Sequence, residues 1–268
     1  IMNGDADRYD IQHECAKAAA KGAELVNNGV VFSEFCTRRR FSFAHQDMVI
    51  GNLIEANHRR PGAQGRFVGT STVHLAMKYD ITPIGTMSHQ VVSFCGAIFG
   101  YKEANFLAMD YWQEAFASDL GIFLYDTYGW NAFQENFSKK HAKLFDGLRV
   151  DSGDNYAAVD KICAKYKELG INPLTKSLTF SNGLCADDAV AIHKYCRGKI
   201  NDNYGIGTCL TGEVTGAEPS NIVIKLTEAK LTEKKGWQKA IKLSDDPGKY
   251  TGDPVEVAMA LQTLNLLP

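Results

Sequence analysis

The stretch Lys143–Asn155, KLFDGLRVDSGDN, decides how this chain is read. Leu144, Phe145 and Leu148 give it an apolar opening, and Arg149, Asp151, Ser152, Gly153 and Asp154 then crowd together before helical spacing resumes. This is the pattern of a strand that ends in a charged loop. An arginine two positions ahead of an aspartate suits a ligand with an anionic group beside hydroxyls. The guanidinium offers paired donors to a phosphate, and the carboxylate accepts from two adjacent hydroxyls. A phosphorylated sugar has that layout. The competing reading is a solvated ion pair in an ordinary turn, which contributes only about 0 to 1 kcal/mol.

Outward from this stretch the same grammar recurs. Val30–Phe35 reads as a strand that delivers Glu34, Cys36, Thr37 and the run Arg38, Arg39, Arg40; such a run is commonly a solvated face, but its place after a strand lets an arginine turn toward a pocket. Arg66–Ser71 ends in Gly69 and the hydroxyls of Thr70 and Ser71. Thr82–Met87 leads to Ser88 and His89, Leu120–Tyr125 to Asp126 and Thr127, and Ser177–Phe180 to Ser181, Asn182 and Gly183. Tyr204–Thr208, YGIGT, permits close backbone approach to an anion through Gly207 and Thr208, but lacks the further glycine of a dinucleotide fingerprint. Asn221–Leu226, NIVIKL, reads as one more strand. Between them lie helical patterns at Ile11–Asn27, His45–Asn57, Val73–Met77, Gly100–Ser118 with Trp112 and Phe116 as core contacts, Asn131–Lys140, and Val159–Leu169 stopped by Gly170. A further helix runs from the acidic turn of Asp187 and Asp188 to near Gly198, and a last short one precedes Pro268.

Strand, loop and helix alternate about seven times with no linker or repeat, which predicts a (β/α) barrel forming one domain over residues 1–268. In a barrel the C-terminal strand ends share one mouth. Arg38, Thr70, His89, Asp126, Arg149, Asp151, Asn182 and Thr208 all follow strands, so they are expected around one cavity.

The composition sets limits. At 268 residues with 45% hydrophobic and 22% charged residues the chain can bury a large core, and a net charge of -2 gives no general attraction to nucleic acid or to an acidic membrane. The cysteines at 15, 36, 95, 163, 185, 196 and 209 are odd in number and form no CxxC pair. Neither a disulfide framework nor a structural zinc site is therefore expected, and a reducing cytosol is the simplest setting. The histidines show no tight ligand spacing, so any metal is expected to arrive with a substrate. No apolar run approaches the roughly 18 residues of a membrane span, and Ile1–Asp10 is polar and acidic, unlike a signal peptide.

Eight runs together carry a resemblance: EFCTRRRFS (34–42), VGTSTVHLA (68–76), PIGTMSHQ (83–90), FDGLRVDSGD (145–154), FSNGL (180–184), YGIGT (204–208), NIVIKL (221–226) and KLSDDPGK (242–249). In this order, across nearly the whole chain, they resemble the nicotinate phosphoribosyltransferase family. The resemblance implies an α/β fold, an irregular TIM-like barrel of the type II phosphoribosyltransferase kind, with the family's N-terminal α/β region ahead of Ile1. It implies the formation of nicotinate mononucleotide and pyrophosphate from nicotinate and phosphoribosyl pyrophosphate in NAD salvage, with Mg²⁺ brought by the phosphorylated substrates and ATP as co-substrate. A cytoplasmic homodimer is implied as well. His89 would be the histidine phosphorylated by ATP, Arg149 would hold phosphate, and Asp151 would hold the ribose hydroxyls. Arg38 would meet the nicotinate carboxylate or pyrophosphate, Gly183, Gly207 and Thr208 would line the 5′-phosphate cradle, and Thr70, Ser152 and Asn182 would complete the substrate contacts. Cys36 stands where relatives have Gly, and Cys185 where they have Asp. Two rivals stay open: a nicotinamide-selective phosphoribosyltransferase, and a catalytically silent relative that binds phosphoribosyl ligands or a protein partner.

Overall fold

The computed structural model describes residues 9–246 and 248–267. Most of the polar opening stretch, with Pro247 of KLSDDPGK and Pro268, lies outside them. In chain order the elements are α1 (Ile11–Asn27), β1 (Val31–Glu34), α2 (Phe43–His58), β2 (Arg66–Thr70), α3 (Val73–Tyr79), β3 (Thr82–Pro83), α4 (His89–Phe99) and α5 (Ala104–Phe116). There follow β4 (Ile122–Leu124), α6 (Gly129–Asn136), α7 (Lys139–Leu144), β5 (Gly147–Val150), α8 (Asn155–Glu168), β6 (Ser177–Phe180), α9 (Ala186–Cys196) and β7 (Asn201–Ile206). The short strands β8 (Glu228–Ala229) and β9 (Gln238–Lys239) and the helix α10 (Pro254–Thr263) close the chain.

Two compact units divide these elements. The first comprises Ile1–Gly85, Thr179–Gly198 and Asp202–Val223; the second comprises Thr86–Leu178, Lys199–Asn201 and Ile224–Pro268. Within the first, β1 pairs in parallel with β2 on one side and β7 on the other, and β2 pairs in parallel with β3. Within the second, β4 pairs in parallel with β5. Strand β6 gives its first half to the second unit and its last half to the first, and the sheet order is β3-β2-β1-β7-β6-β5-β4. The last long strand, β7, thus lies beside the first, β1. Pro83, with no amide proton to give a ladder, sits in the strand at one end of that order.

Register sets which residues stand at the strand ends. Glu34 lies level with Thr70 and with Ile206, and Leu124 lies level with Arg149. Each unit has its own apolar filling. Leu25, Phe32, Val49, Ile50 and Leu53 are buried in the first. In the second, Phe123 packs on Phe133 and Phe145 at ring-centroid distances of 5.7 and 5.4 Å, and Phe133 on Phe137 at 4.9 Å. Truncating one of these rings to Ala costs about 3 to 5 kcal/mol. At Gly147 a Cβ would fall 1.9 Å from the Ser177 carbonyl oxygen, so no larger residue fits where β5 begins. Gly153, at φ +77°, turns the DSGD loop into α8, and Asp154 caps that helix by accepting from Ala157 N, the amide of its third residue, at 2.7 Å. Among the described residues no helix is long and apolar enough to cross a membrane.

Several expectations are corrected. The strand placed at Thr82–Met87 is only Thr82–Pro83, and His89 opens a helix, α4, instead of closing a strand. NIVIKL forms no strand; Ile224 is 84% exposed, a β-branched run without a ladder partner. Phe116 is exposed and Trp112 only half-buried; the two rings meet at a tilt, centroids 4.4 Å apart, rather than filling the core. The pattern at Asn131–Lys140 covers the end of α6 and the start of α7. Contrary to the cysteine spacing, Cys185 and Cys209 form a disulfide across 24 positions of sequence. A pair separated this way leaves no local signature, because the fold and not the spacing brings the two residues together.

Candidate active site

A set of titratable side chains lies in the second unit, where β4 and β5 end and α4 begins. Register carries Asp126 and Asp151 just past these paired strands. His89 is the first residue of α4, and its ring is held from both sides: Nδ1 lies 3.0 Å from Thr127 Oγ1, and Nε2 lies 3.2 Å from Asp151 Oδ2. With a carboxylate at one nitrogen and a hydroxyl at the other, the consistent tautomer donates Nε2–H to Asp151 and accepts from Thr127 at Nδ1. The other oxygen of Asp151 accepts from Arg149 Nη2 at 2.6 Å, and Arg149 Nη1 donates to Thr86 Oγ1 at 2.8 Å. Thr127, His89, Asp151, Arg149 and Thr86 thus form one continuous chain of bonds.

Below it, Asp126 is fully buried and accepts a short hydrogen bond from Ser152 Oγ. Its other oxygen, Oδ1, has no hydrogen-bond partner among the described residues. Burial pushes the Asp126 carboxyl above the usual carboxylate range, and the Asp151 charge adds to this, while His89 and Lys242 oppose it. Burial lowers the His89 pKa, and Lys242 lowers it further; Asp151 and Asp126 pull the other way. The amino end of α4 adds a fixed positive field that also disfavours an imidazolium. His89 is therefore a neutral imidazole near pH 7, with an available lone pair.

The SDD segment of KLSDDPGK braces this group. Ser152 Oγ accepts from Asp245 N at 3.3 Å, and Asp246 Oδ1 accepts from Gly153 N at 3.1 Å. Asp245 itself accepts from Trp130 N at 2.6 Å, at the amino end of α6, and from Lys161 Nζ at 2.8 Å. A cleft of about 350 Å³ adjoins it, lined by Trp130, Gly153, Lys161 and Asp245; it touches the loop of Ser152 but not His89.

The first unit holds a different arrangement. Glu34 is fully buried at the end of β1 and accepts from Cys36 N at 2.7 Å, Gln46 Nε2 at 3.0 Å, Thr211 Oγ1 at 2.7 Å and Thr70 Oγ1 at 2.6 Å. Thr70 is thus an internal anchor with its hydroxyl committed. Gln46 also donates to Thr72 Oγ1 at 2.8 Å and accepts from Arg40 Nη1 at 3.1 Å, and Arg38 Nη1 donates to the Ile222 carbonyl at 2.8 Å. Gly207 precedes a π-helical turn over Thr208–Gly212. Asn182 and Gly183 lie on the loop after β6, where Gly183, at φ +80°, has open space at its Cβ position. The disulfide joins Cys185, just past that loop, to Cys209, just past Thr208.

Of the residues singled out from the sequence, His89, Arg149 and Asp151 share one chain of bonds in the second unit, and Ser152 and Asp126 are bonded to each other in the same unit. Arg38, Thr70, Asn182, Gly183, Gly207 and Thr208 lie in the first. Four participants went unassigned: Glu34, Thr86, Thr127 and Lys242. Glu34 and Thr127 did stand at strand ends, which is the signal that could have found them; Lys242 lay in a quoted run without an assigned role.

Comparison with known proteins gives a consistent result. Residues 30–266 match the model of the Nicotinate phosphoribosyltransferase (NAPRTase) family. The nicotinate phosphoribosyltransferase of Desulforapulum autotrophicum is 45% identical over 244 residues, 91% of this chain and 61% of that protein. The Methanosarcina mazei protein of the same name is 40% identical over 235 residues, 87% of this chain and 54% of its own length. The crystal structure of nicotinate phosphoribosyltransferase from Porphyromonas gingivalis superposes with a TM-score of 0.91 at 42% identity, covering 96% of this chain and 65% of that one. A putative nicotinate phosphoribosyltransferase from Saccharomyces cerevisiae gives a TM-score of 0.91 at 30% identity. The chain thus spans 54% to 61% of the length of these two sequence relatives.

Proposed function

The chain belongs to the nicotinate phosphoribosyltransferase family, and from that premise we propose that the protein joins nicotinate to the phosphoribosyl group of phosphoribosyl pyrophosphate, giving nicotinate mononucleotide and pyrophosphate in NAD salvage, with ATP as co-substrate. The observation that carries this reading is the bonded series Thr127–His89–Asp151–Arg149, a neutral histidine held between a hydroxyl and an arginine-paired carboxylate.

In this reading His89 is the nucleophile toward the γ-phosphate of ATP. The lone pair of Nδ1 forms the N–P bond, the bond from phosphorus to the bridging oxygen breaks, and ADP leaves. Asp151 accepts Nε2–H and stabilises the positive charge that develops on the ring. Arg149 holds an anionic group of the substrate, and Asp151 accepts from ribose hydroxyls. In the transfer step positive charge grows on the sugar and negative charge on departing pyrophosphate, so carboxylates near the ribose and cations near the pyrophosphate both lower the barrier. Arg38 meets the nicotinate carboxylate or the pyrophosphate, while Asn182, Gly183, Gly207 and Thr208 serve the 5′-phosphate through backbone amides and short polar side chains. Thr70 and Ser152 act through the carboxylates they bind, Glu34 and Asp126. Mg²⁺ travels with the phosphorylated substrates; the buried Oδ1 of Asp126 and the carboxylate of Asp151 are the hard oxygen donors such an ion takes, and it would neutralise phosphate charge.

The same reading takes the sheet to be most of an irregular TIM-like barrel of the type II phosphoribosyltransferase kind, and the enzyme to be a cytoplasmic homodimer. The test is pyrophosphate release from nicotinate and phosphoribosyl pyrophosphate by full-length protein, with and without ATP. Release that depends on nicotinate and is stimulated by ATP supports the proposal. Turnover of nicotinamide in preference to nicotinate, or none with either, overturns it.

A further inference from the structure

Within the first unit one covalent bond crosses between two loops. Cys185 caps the amino end of α9 directly after the FSNGL loop, and Cys209 is the second residue of the π-helical turn directly after YGIGT. Their Cα atoms are 5.4 Å apart. The bond thus ties the segment of Asn182 and Gly183 to the segment of Gly207 and Thr208. π-Helical turns are rare and concentrate at functional sites. This one is braced on its far side, where Lys21 Nζ donates to the Cys209 carbonyl at 2.8 Å and pairs with Glu213 at 2.9 Å.

The two cysteine residues differ in access. Cys185 is partly exposed, whereas Cys209 is buried. An incoming thiolate therefore has one sulfur to attack and one to displace. The remaining cysteines are buried and outside any disulfide, and burial pushes the Cys36 and Cys95 thiols up to about 11, so they offer little thiolate for competing exchange. The backbone amide of Asp188 faces the Cys185 side chain; Cys185 N in turn donates to Asp188 Oδ2 at 3.0 Å, so the cap geometry has a partner that survives reduction.

We propose that Cys185 and Cys209 form a reversible thiol–disulfide site, exchanged by dithiol reductants, whose oxidised state pre-orders the two loops that receive the phosphate of the phosphoribosyl substrate. This rests on the substrate reading above. The exchange balances as follows. A reductant thiolate attacks Cys185 Sγ, the Sγ–Sγ bond breaks, and Cys209 leaves as a thiolate that takes a proton. The second thiol of the reductant then attacks the mixed disulfide and frees Cys185. The protein gains two electrons and two protons, and the dithiol becomes a disulfide. In the oxidised state less loop freedom is lost on binding, so phosphate affinity is higher.

Full-length protein is equilibrated with oxidised glutathione or with dithiothreitol. A non-reducing peptide map reads the 185–209 linkage, and the KM for phosphoribosyl pyrophosphate is compared with kcat. Reduction is expected to raise KM about fivefold while kcat changes less than about twofold. Reoxidation restores the first value, and Cys209→Ser shows the reduced-state KM under both conditions. Hydrogen exchange over 181–184 and 205–212, with inorganic phosphate as probe, gives a readout that needs no turnover: phosphate protects these amides at lower concentration in the oxidised protein. Absence of the linkage in oxidant, or equal phosphate protection and KM in both states, overturns the proposal. Absent turnover with a redox-dependent phosphate response sinks the enzymatic reading and leaves the thiol–disulfide site standing.

Discussion

Two carboxylates at strand ends, Glu34 and Asp151, show how one residue type is given opposite work. Glu34 is sealed from solvent and meets four neutral donors, from a backbone amide, an amide side chain and two hydroxyls. Its charge is spread over bonds that all come from the protein. Asp151 keeps about a fifth of its side chain accessible and binds two groups that change or carry charge, His89 and Arg149. The first arrangement leaves nothing for a ligand and fixes the positions of Thr70, Gln46, Cys36 and Thr211 around one point. The second stays in contact with solvent and couples a titrating ring to a permanent cation. Saturation by neutral donors makes a scaffold; partial exposure with charged partners makes a place for chemistry.

Breaking the scaffold is expected to have the largest effect. Glu34→Ala strands four buried donors together, and the loss of folding stability should reach about 3 to 5 kcal/mol in denaturant unfolding. Glu34→Gln, which keeps an acceptor oxygen, should lose less than half of that. A midpoint within experimental error of the parent for Glu34→Ala would show that the node is not structural.

The reactive group should respond in the opposite way. His89→Ala leaves Asp151 bonded to Arg149 and Asp126 bonded to Ser152, while the buried Thr127 hydroxyl loses its ring partner. Stability should fall by about 1 to 2 kcal/mol, less than for Glu34→Ala, while ATP-dependent stimulation falls by roughly two to four orders of magnitude. Incorporation of labelled phosphate from γ-labelled ATP should vanish. Undiminished labelling would place the phosphorylated residue elsewhere and leave His89 as a structural member of its hydrogen-bond chain.

The contrast was only half visible in the amino-acid sequence. The KLFDGLRVDSGDN run placed Arg149, Asp151 and Ser152 at the end of a strand, and β5 ends there. His89 lies 62 positions from Asp151, so only the shared position of both after predicted strands suggested that they meet. The run HQVVSFCGAIF gives no legible helical signal for α4, because a short, mostly apolar segment has no clear period. NIVIKL misled for the converse reason, since β-branched residues suit a strand but require a neighbour to pair with. Glu34 showed its place but not its burial: a carboxylate at a strand end reads as a ligand contact until the donors converging from Gln46, Thr70 and Thr211 are known. The Cys185–Cys209 bond was illegible altogether, because odd cysteine number and wide spacing argue about frameworks and not about a single pair.

The pH response sharpens the comparison with the smallest expected signal. Burial holds the folded-state pKa of His89 below the ordinary value of 6.5, so as pH falls through 6.5 the unfolded chain takes up a proton before the folded one does. The stability contributed by the neutral ring is therefore complete above pH 6.5 and is lost progressively between 6.5 and the lowered folded value. The acid limb for phosphorylation of His89 should follow the same group and fall below pH 6.5. Asp151 stabilises the imidazolium, so Asp151→Asn should move the His89 titration still lower, read from ring proton chemical shifts and free of any effect on substrate binding. Glu34→Gln, in the first unit and sharing no bond with the ring, should leave that titration where it was. An upward shift in Asp151→Asn would mean that the carboxylate does not face the ring in solution, and the link between His89 and the Asp151 loop would have to be redrawn.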